Sequence, residues 1–219
     1  MSRQSMSRFA LLSLVVAVVA CNDGMTAPRR ATLPKGAPSL DVIVNHMSED
    51  STSADFTVTP TGGVFIIGKH AVSFAANSIC DPQTSSYGET EWDAPCEPLT
   101  TDIQIHAEVR SLNGRTWVDF TPALRFVPTD SSENYVWILM KSDVAATAPL
   151  EALSILWSPA IGEAGVNEAA SDSTLSTYVW RAGGISFRRI KHFSGYNHPD
   201  SIEGAVETII DAVVSPVDF

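Results

Sequence analysis

Apolar and polar residues alternate with a period of two in several short segments of the chain. In the segment 102–110 the odd positions are apolar and the even positions are polar or charged. This period is typical of a β-strand that buries one face and exposes the other. Asn113 and Gly114 follow directly, and this dipeptide is a strong signal for a tight turn between two strands. The pattern therefore predicts a β-hairpin that returns through the segment 116–120.

Further short apolar segments lie between turn residues, and each has the length of a strand. They are 41–44, 55–59, 63–68, 71–75, 123–127, 135–140, 154–157, 176–180 and 184–190. About ten short strands at even spacing are typical of a β-sandwich or a barrel. We expect the first of these, an all-β fold built as an antiparallel β-sandwich.

The end of the chain has a different period. Between Asp200 and Val214 the apolar residues recur at the three- and four-residue spacing of a helix. Asp200 and Glu203 have the spacing of a capping box. The pattern predicts a C-terminal amphipathic helix from about residue 200, packed on the sandwich or on a partner.

The beginning of the chain is typical of an export signal. Arg3 and Arg8 are the only charged residues among the first twenty, and an apolar run from Phe9 to Ala20 follows. This run is shorter than the roughly 20 residues that a membrane-spanning helix needs. The segment 1–20 therefore indicates a secretory signal peptide.

The residues that follow the apolar run resemble the bacterial lipobox. The sequence reads Val18-Val19-Ala20-Cys21, and the resemblance implies cleavage before Cys21 and attachment of lipid to its sulfur and its new amino group. The alternative is a plain secretory signal with a chance cysteine. Residue 22 is Asn, so the aspartate that retains enteric lipoproteins at the inner membrane is absent. We expect a bacterial envelope protein whose lipid anchor at Cys21 holds it to a membrane, by preference the outer one.

The segment 21–40 is rich in proline and glycine, which favours a semi-extended tether. The domain proper then comprises residues 41–219. Within it, Cys80 and Cys96 form an even pair in an exported chain, which indicates a disulfide. A loop of this length is typically stabilised by about 3 kcal/mol on closure. A metal site is the alternative, but the chain has no paired cysteines at CxxC spacing.

The overall charge excludes one class of partner. The chain has 219 residues, of which 25 are acidic and 14 basic, for a formal net charge of −11. A chain this acidic and without a basic cluster is a poor nucleic-acid binder, because binding of phosphates requires Lys and Arg. We therefore predict no nucleic-acid partner.

Two stretches resemble the ZU-type domain, the β-sandwich module of zonula occludens proteins, netrin receptors and ankyrins. The stretch 61–76 resembles the Gly-Gly turn and following strands of that module, with Ala75, Ala76 and Asn77 where the family often has Pro and Gly. The stretch 190–196 resembles its His-Phe-Ser strand, and bacterial surface lipoproteins share a similar body. The resemblance covers about residues 55 to 198. It implies a sandwich fold with a scaffold or adhesion-like role and no cofactor.

In some ZU-type domains the His-Phe-Ser tripeptide cleaves itself. Carried over to this chain, Ser194 would attack the carbonyl of Phe193 with His192 as the base. Such a step needs a hydroxyl next to the scissile carbonyl and a base within hydrogen-bond reach. The alternative is structural: Phe193 fills the core, His192 lies on the opposite face, and Ser194 begins a turn.

The loop between the two cysteines carries an acidic and aromatic cluster. Its acidic residues include Glu89, Glu91 and Asp93, which either hold calcium or form a solvated surface; the second is favoured because no EF-hand pattern is present. Tyr87 and Trp92 either contact a ligand or fix the loop to the sandwich. These five residues are the candidate ligand-binding residues of the loop.

The chain lacks the common catalytic motifs, namely the nucleophile elbow, the phosphate-binding loop, the dinucleotide fingerprint and the zinc-protease helix. We therefore expect a non-enzymatic envelope lipoprotein without metal or cofactor, whose sandwich binds an envelope protein or a glycan or has a structural role. The alternative is a self-processing module that cleaves between Phe193 and Ser194.

Overall fold

The computed structural model describes residues 29–30, 33–48 and 51–214 of the 219-residue chain. The predicted signal peptide and Cys21 lie outside these residues. Among the residues described, none of the helices has the length and apolar character needed to cross a membrane.

Strands dominate the described part of the chain. Eleven of them follow in this order: β1 (Arg29–Arg30), β2 (Ser53–Val58), β3 (Gly63–Ile67), β4 (His70–Phe74), β5 (Ile103–Leu112), β6 (Arg115–Thr121), β7 (Val136–Lys141), β8 (Leu156–Ser158), β9 (Tyr178–Trp180), β10 (Ile185–Ile190) and β11 (Gly195–Pro199). Two helices accompany them, α1 (Leu40–Val44) and α2 (Ile202–Val214). The remaining helical segments are short 3₁₀ turns.

The strands form two antiparallel sheets of five strands each. The first sheet has the order β9-β10-β7-β4-β3, and the two residues of β1 add to its edge in parallel with β9. The second has the order β2-β5-β6-β11-β8. The predicted all-β fold, an antiparallel β-sandwich with a C-terminal helix, is confirmed.

The main core lies between the sheets, where the inward positions of both meet. Ile105 and Ala107 of β5 are buried as the alternation predicts, while Gln104 and His106 are exposed. Burial of such side chains stabilises the fold by about 25 cal/mol per Å² of apolar surface. Four aromatic rings fill the centre of this core: Phe74, Phe120, Phe126 and Phe193.

A smaller apolar cluster covers the outer face of the first sheet. Leu40 and Ile43 of α1 are both buried there, against Trp137 and Phe187. The prediction of a strand over 41–44 is therefore wrong. The two buried residues are three positions apart, which is a helical spacing that the short run of β-branched residues concealed.

The predicted hairpin turn is confirmed. Asn113 and Gly114 both have positive φ, at 52° and 69°, as the two central residues of a tight hairpin turn require.

The predicted strand over 123–127 is wrong, because its backbone divides its pairing between two partners. Phe126 bridges to Ile79, and Arg125 bridges to His192, so that no continuous ladder forms.

The strand β11 was not predicted. It lies between β6 and β8 with every residue buried, and it includes the polar Asn197 and His198. A strand that is buried on both faces and carries polar residues shows no apolar alternation. Asn197 is satisfied internally, since it accepts from Arg115 Nε (2.7 Å) and donates to Ser158 Oγ (2.7 Å).

The C-terminal helix is confirmed, but its cap differs from the prediction. Ser201 Oγ accepts a hydrogen bond from the backbone N–H of Gly204 at 3.2 Å. Asp200 instead bonds to Lys69 Nζ (2.9 Å) and Thr116 Oγ1 (3.0 Å). The capping box predicted from Asp200 is therefore wrong, because the half-buried Lys69 competes for that carboxylate.

Two histidines lie in the interior near Asp200. His70 of β4 and His198 of β11 are each 1% exposed. Burial lowers the pKa of each to about 3, and the positive charges of Lys69 beside His70 and Arg115 beside His198 act in the same direction. Both are therefore neutral in the folded protein at neutral pH.

We predict that the fold loses stability as the pH falls from about 6.5 towards 3. In that range the unfolded chain binds protons at His70 and His198 that the folded chain does not, so each site lowers the free energy of unfolding, by about 2 kcal/mol at pH 5. Urea unfolding between pH 7 and pH 4 measures this loss. His198→Asn should reduce the slope, whereas Gln104→Asn, at an exposed site that does not titrate, should not. An unchanged slope in His198→Asn would contradict the prediction.

Candidate functional site around His192, Phe193 and Ser194

The tripeptide lies where the chain crosses between the two sheets. The strand β10 ends at Ile190 in the first sheet, and β11 begins at Gly195 in the second. His192 and Phe193 have no exposed surface, and Ser194 is half-buried. The crossing therefore places the imidazole of His192 and the ring of Phe193 in the interior.

Phe193 is anchored in the aromatic core. Its ring stacks on Phe120 with centroids 4.0 Å apart and an angle of 3°, and it meets Phe74 and Phe126 edge-on. Its backbone N–H donates to the Leu124 carbonyl at 2.6 Å. Ring and backbone together hold the carbonyl group of Phe193 in one place.

The hydroxyl of Ser194 lies between two nitrogen atoms. His192 Nδ1 is 3.1 Å from Ser194 Oγ, and Trp157 Nε1–H donates to the same oxygen at 2.5 Å. An indole nitrogen donates only, so it occupies a lone pair of the oxygen, and the hydroxyl proton can point to His192 Nδ1.

Glu168 decides which nitrogen of His192 accepts that proton. Glu168 Oε1 is 3.3 Å from His192 Nε2. An ionised carboxylate only accepts hydrogen bonds, so Nε2 carries the imidazole proton and Nδ1 faces Ser194 as the acceptor. Burial lowers the pKa of His192 and outweighs the contact with Glu168, which raises it. His192 is therefore a neutral base at neutral pH.

Glu168 is kept ionised by a buried cation. Arg188 has no exposed side-chain surface, and its Nη2 lies 2.7 Å from Glu168 Oε2. Burial raises the pKa of Glu168, but the hydrogen bond from His192 and the charge of Arg188 hold it below its ordinary value. Arg188 also donates to the carbonyls of Ile155 (2.9 Å) and Arg189 (3.1 Å). The pair is thus both charged and hydrogen-bonded, as a buried ion pair requires.

The disulfide loop covers this site. Cys80 and Cys96 are bonded, as predicted, with their Cα atoms 5.6 Å apart. From this loop, Tyr87 Oη donates to the Phe193 carbonyl oxygen at 2.5 Å. The ring of Trp92 stacks on His192, with centroids 3.6 Å apart and an angle of 15°. Burial raises the pKa of Tyr87, against a hydrogen bond with Ser194 that lowers it, and its hydroxyl therefore remains a donor.

Two cations hold the loop in this position. Arg125 Nη1 donates to the carbonyls of Glu91 (2.8 Å) and Ala94 (2.5 Å). Lys191, next to the tripeptide, pairs with Asp93 (2.7 Å) and with Asp172 (2.8 Å). The loop is therefore bound to the sandwich on both sides of Trp92.

The structure thus brings together two groups of residues that the sequence analysis treated separately. Tyr87 and Trp92 contact the tripeptide directly. Asp93 pairs with Lys191, the residue before the tripeptide. Glu89, which is exposed, and Glu91 lie together in a short 3₁₀ helix. Within the described ranges, no three His, Cys, Asp or Glu side chains converge as metal ligands. Binding of an external ligand by this loop remains a prediction.

Sequence reasoning missed Glu168, Arg188 and Trp157. One signal for Arg188 is present in the sequence, because it occupies an inward position of a strand between Ser186 and Ile190. A charged residue at such a position requires a buried counter-charge. The identity of that counter-charge has no local signal, since Glu168 is 20 residues away.

The chain matches no protein-family model, no curated protein and no solved structure. The resemblance to the ZU-type domain therefore remains a prediction.

We predict that the Arg188–Glu168 pair is required for stability as a unit. Glu168→Gln leaves the guanidinium of Arg188 buried without a counter-charge, and the free energy of unfolding should fall by about 3 kcal/mol or more. Adding Arg188→Met removes that charge and should recover part of the loss. Urea unfolding of the parent, of Glu168→Gln and of the double variant measures both changes.

The matched control is Glu108→Gln at the exposed Glu108–Arg110 pair, where the change should be below about 1 kcal/mol. A Glu168→Gln protein as stable as its parent would contradict the prediction. So would losses that add without any recovery in the double variant.

Proposed function

We propose that this β-sandwich cleaves its own chain between Phe193 and Ser194. One observation carries the proposal: Ser194 Oγ lies 3.1 Å from the acceptor nitrogen of a buried, neutral His192, and a tyrosine hydroxyl binds the adjacent carbonyl. A nucleophile, its base, a group that orients the base and a donor on the carbonyl oxygen are the components of acyl transfer.

In the first step, Ser194 Oγ attacks the carbonyl carbon of Phe193 and closes a five-membered ring through the Ser194 backbone nitrogen, while His192 Nδ1 takes the hydroxyl proton. The carbonyl oxygen becomes an oxyanion, which the Tyr87 hydroxyl stabilises by donating to it. Glu168 stabilises the imidazolium that forms, because its carboxylate accepts from Nε2.

In the second step, the carbon–nitrogen bond breaks and the Ser194 nitrogen takes the proton back from His192 as it becomes an amine. The product is an ester between the Phe193 carbonyl and Ser194 Oγ. Water then hydrolyses this ester, which gives a carboxylate at Phe193 and a free amino group and hydroxyl at Ser194. No oxidant, reductant or further reactant is needed.

The burial of the site favours the chain's own bond as the substrate. His192 has no exposed surface, and the Trp92 ring covers its face. A peptide from outside would have to displace that ring to reach Ser194 and His192 together. The Phe193 carbonyl is already next to the nucleophile, and such proximity replaces the entropy cost of binding a substrate.

The two fragments should remain associated after cleavage. The strand β11 is hydrogen-bonded to β6 on one side and β8 on the other. Arg115 of β6 also donates to Asn197 (2.7 Å) and to Thr208 of α2 (2.5 Å). The fragment that begins at Ser194 is therefore held to the rest of the fold through β11 and α2, and cleavage has to be read under denaturing conditions.

We predict that Ser194→Ala abolishes cleavage, because it removes the nucleophile. His192→Asn should slow the reaction by about 100-fold to 10,000-fold, the usual contribution of a general base. Tyr87→Phe should slow it by about 100-fold through loss of the oxyanion donor. Denaturing gels of freshly synthesised protein give the rates, and sequencing of the small fragment gives its first residue.

Tyr178→Phe is the matched control, since Tyr178 lies on the outer face of the first sheet and its loss should not change the rate. Hydroxylamine should accelerate cleavage of the wild type, because it attacks the ester. Fragmentation of Ser194→Ala at the same bond would overturn the proposal.

We further propose that the chain is a bacterial envelope lipoprotein, held by lipid on Cys21 to a membrane, by preference the outer one. The sandwich then acts as a ZU-like binding or structural module towards an envelope protein or a glycan. The export-type start of the sequence supports this proposal. The Cys80–Cys96 bridge also supports it, since disulfides persist in oxidising compartments.

We predict that Cys21→Ala abolishes labelling by palmitate in a bacterial host and moves the protein from the membrane fraction to the soluble fraction. The double variant Cys80→Ser, Cys96→Ser is the control and should keep both label and membrane association. Persistence of label in Cys21→Ala would contradict lipid attachment at this residue. Soluble wild-type protein without label would indicate a plain secretory signal.

A further inference from the structure

A recess lies next to the tripeptide on the surface of the sandwich. It has a volume of about 230 Å³, counted with its open mouth, and its walls include Trp92, Pro128, Asn134, Tyr135 and Arg189. None of these residues acts in the proposed cleavage except Trp92, which stacks on His192. The recess is therefore a separate feature that shares one wall with the site.

Arg189 is a nearly buried cation in this wall. It is 7% exposed, and its guanidinium lies over the ring of Tyr135, 4.1 Å from the centroid. Its Nη1 donates to Thr174 Oγ1 at 2.9 Å. Within the part of the chain that the structure describes, Arg189 enters no ion pair, whereas its neighbour Arg188 is paired with Glu168.

A guanidinium has five N–H donors, and among the described residues Arg189 makes one hydrogen bond to another side chain, that of Thr174. Charges that are this deeply buried are ordinarily paired with an opposite charge. Stacking on an aromatic ring supplies a smaller compensation. Tyr135 and Thr174 thus fix the position of the guanidinium, and an anion would supply the opposite charge.

The other polar groups of the recess also favour an acceptor. The indole Nε1–H of Trp92 is buried and has no acceptor among the described residues. Lys191 adds positive charge to the wall, although Asp93 and Asp172 already pair with it. The nearby carboxylate of Glu133 is engaged by Lys35 at 2.5 Å. A ligand in the recess therefore meets positive charge from Arg189 and Lys191.

We propose that this recess binds a carboxylate through the guanidinium of Arg189. A planar carboxylate matches the fork of a guanidinium and takes two parallel hydrogen bonds from it, and the aromatic walls accommodate the attached carbon chain. The carboxylate belongs either to a small organic acid or to an acidic side chain of a peptide. The binding does not depend on self-cleavage at Phe193–Ser194.

The test is a titration of the full-length Ser194→Ala chain, followed by NMR of the Trp92 Nε1–H and Arg189 Nε–H signals. The probes are acetate, succinate and a capped glutamate, with sodium chloride and inorganic phosphate at the same ionic strength. We expect saturable shifts of both signals with the carboxylates and none with chloride. Tighter binding of succinate indicates a small diacid, and tighter binding of the capped glutamate indicates a peptide side chain.

Variants of Arg189 separate its geometry from its charge. Arg189→Lys keeps the charge without the fork and should weaken acetate binding by about tenfold, while Arg189→Met should abolish it. Arg110→Met, at an exposed arginine that pairs with Glu108, is the matched control and should bind like the parent. An amide spectrum checks each fold, and Arg189→Lys keeps the test decisive if Arg189→Met unfolds.

Three results would overturn the proposal: shifts that never saturate, equal affinity for phosphate and acetate, and unchanged acetate binding in Arg189→Lys. Because the titration is read in an uncleavable chain, failure of self-cleavage does not affect it. Failure of the titration likewise leaves the proposed cleavage untouched.

Discussion

The guanidinium of Arg188 lies in the interior of the sandwich, where a lone charge would cost several kcal/mol. That constraint explains the position of Glu168, whose carboxylate supplies the counter-charge at 2.7 Å. The carboxylate has a second oxygen, and His192 Nε2 lies 3.3 Å from it. The tautomer of His192 follows, and with it the direction in which Nδ1 accepts from Ser194. The chemistry that we propose at the crossing between the sheets therefore depends on a buried ion pair.

The disulfide loop completes the same site from the outside. It spans Cys80 to Cys96, is held by Arg125 and Lys191, and places Tyr87 on the Phe193 carbonyl and Trp92 on the imidazole. A loop of this length without regular strands is ordinarily functional or closed by a covalent link, and here the Cys80–Cys96 bond closes it. Its aromatic residues exclude water from His192 and polarise the bond that we propose is cleaved. The loop and the tripeptide are thus parts of one arrangement.

The strand alternation and the Asn113–Gly114 turn predicted most of the sandwich, because these signals are local. These signals do not predict β11, because both of its faces are buried and it carries the polar Asn197 and His198. The run 41–44 has the composition of a strand, and the five-residue helix that it forms is too short to show a helical period. The sequence singles out the tripeptide, Tyr87 and Trp92 as candidate site residues. It does not predict that these residues contact one another. Contacts between residues 87 and 193 are set by the tertiary fold and have no local signal.

The central claim is that these contacts lead to cleavage of one peptide bond. The most direct measurement is the intact mass of the chain from Asn22 onward, secreted into an oxidising compartment and denatured without reductant. We expect two species, one ending at Phe193 and one beginning at Ser194, and a mass increase of about two daltons in the larger one when its disulfide is reduced. A single species with the mass of the whole chain would contradict the claim and leave the sandwich a passive module.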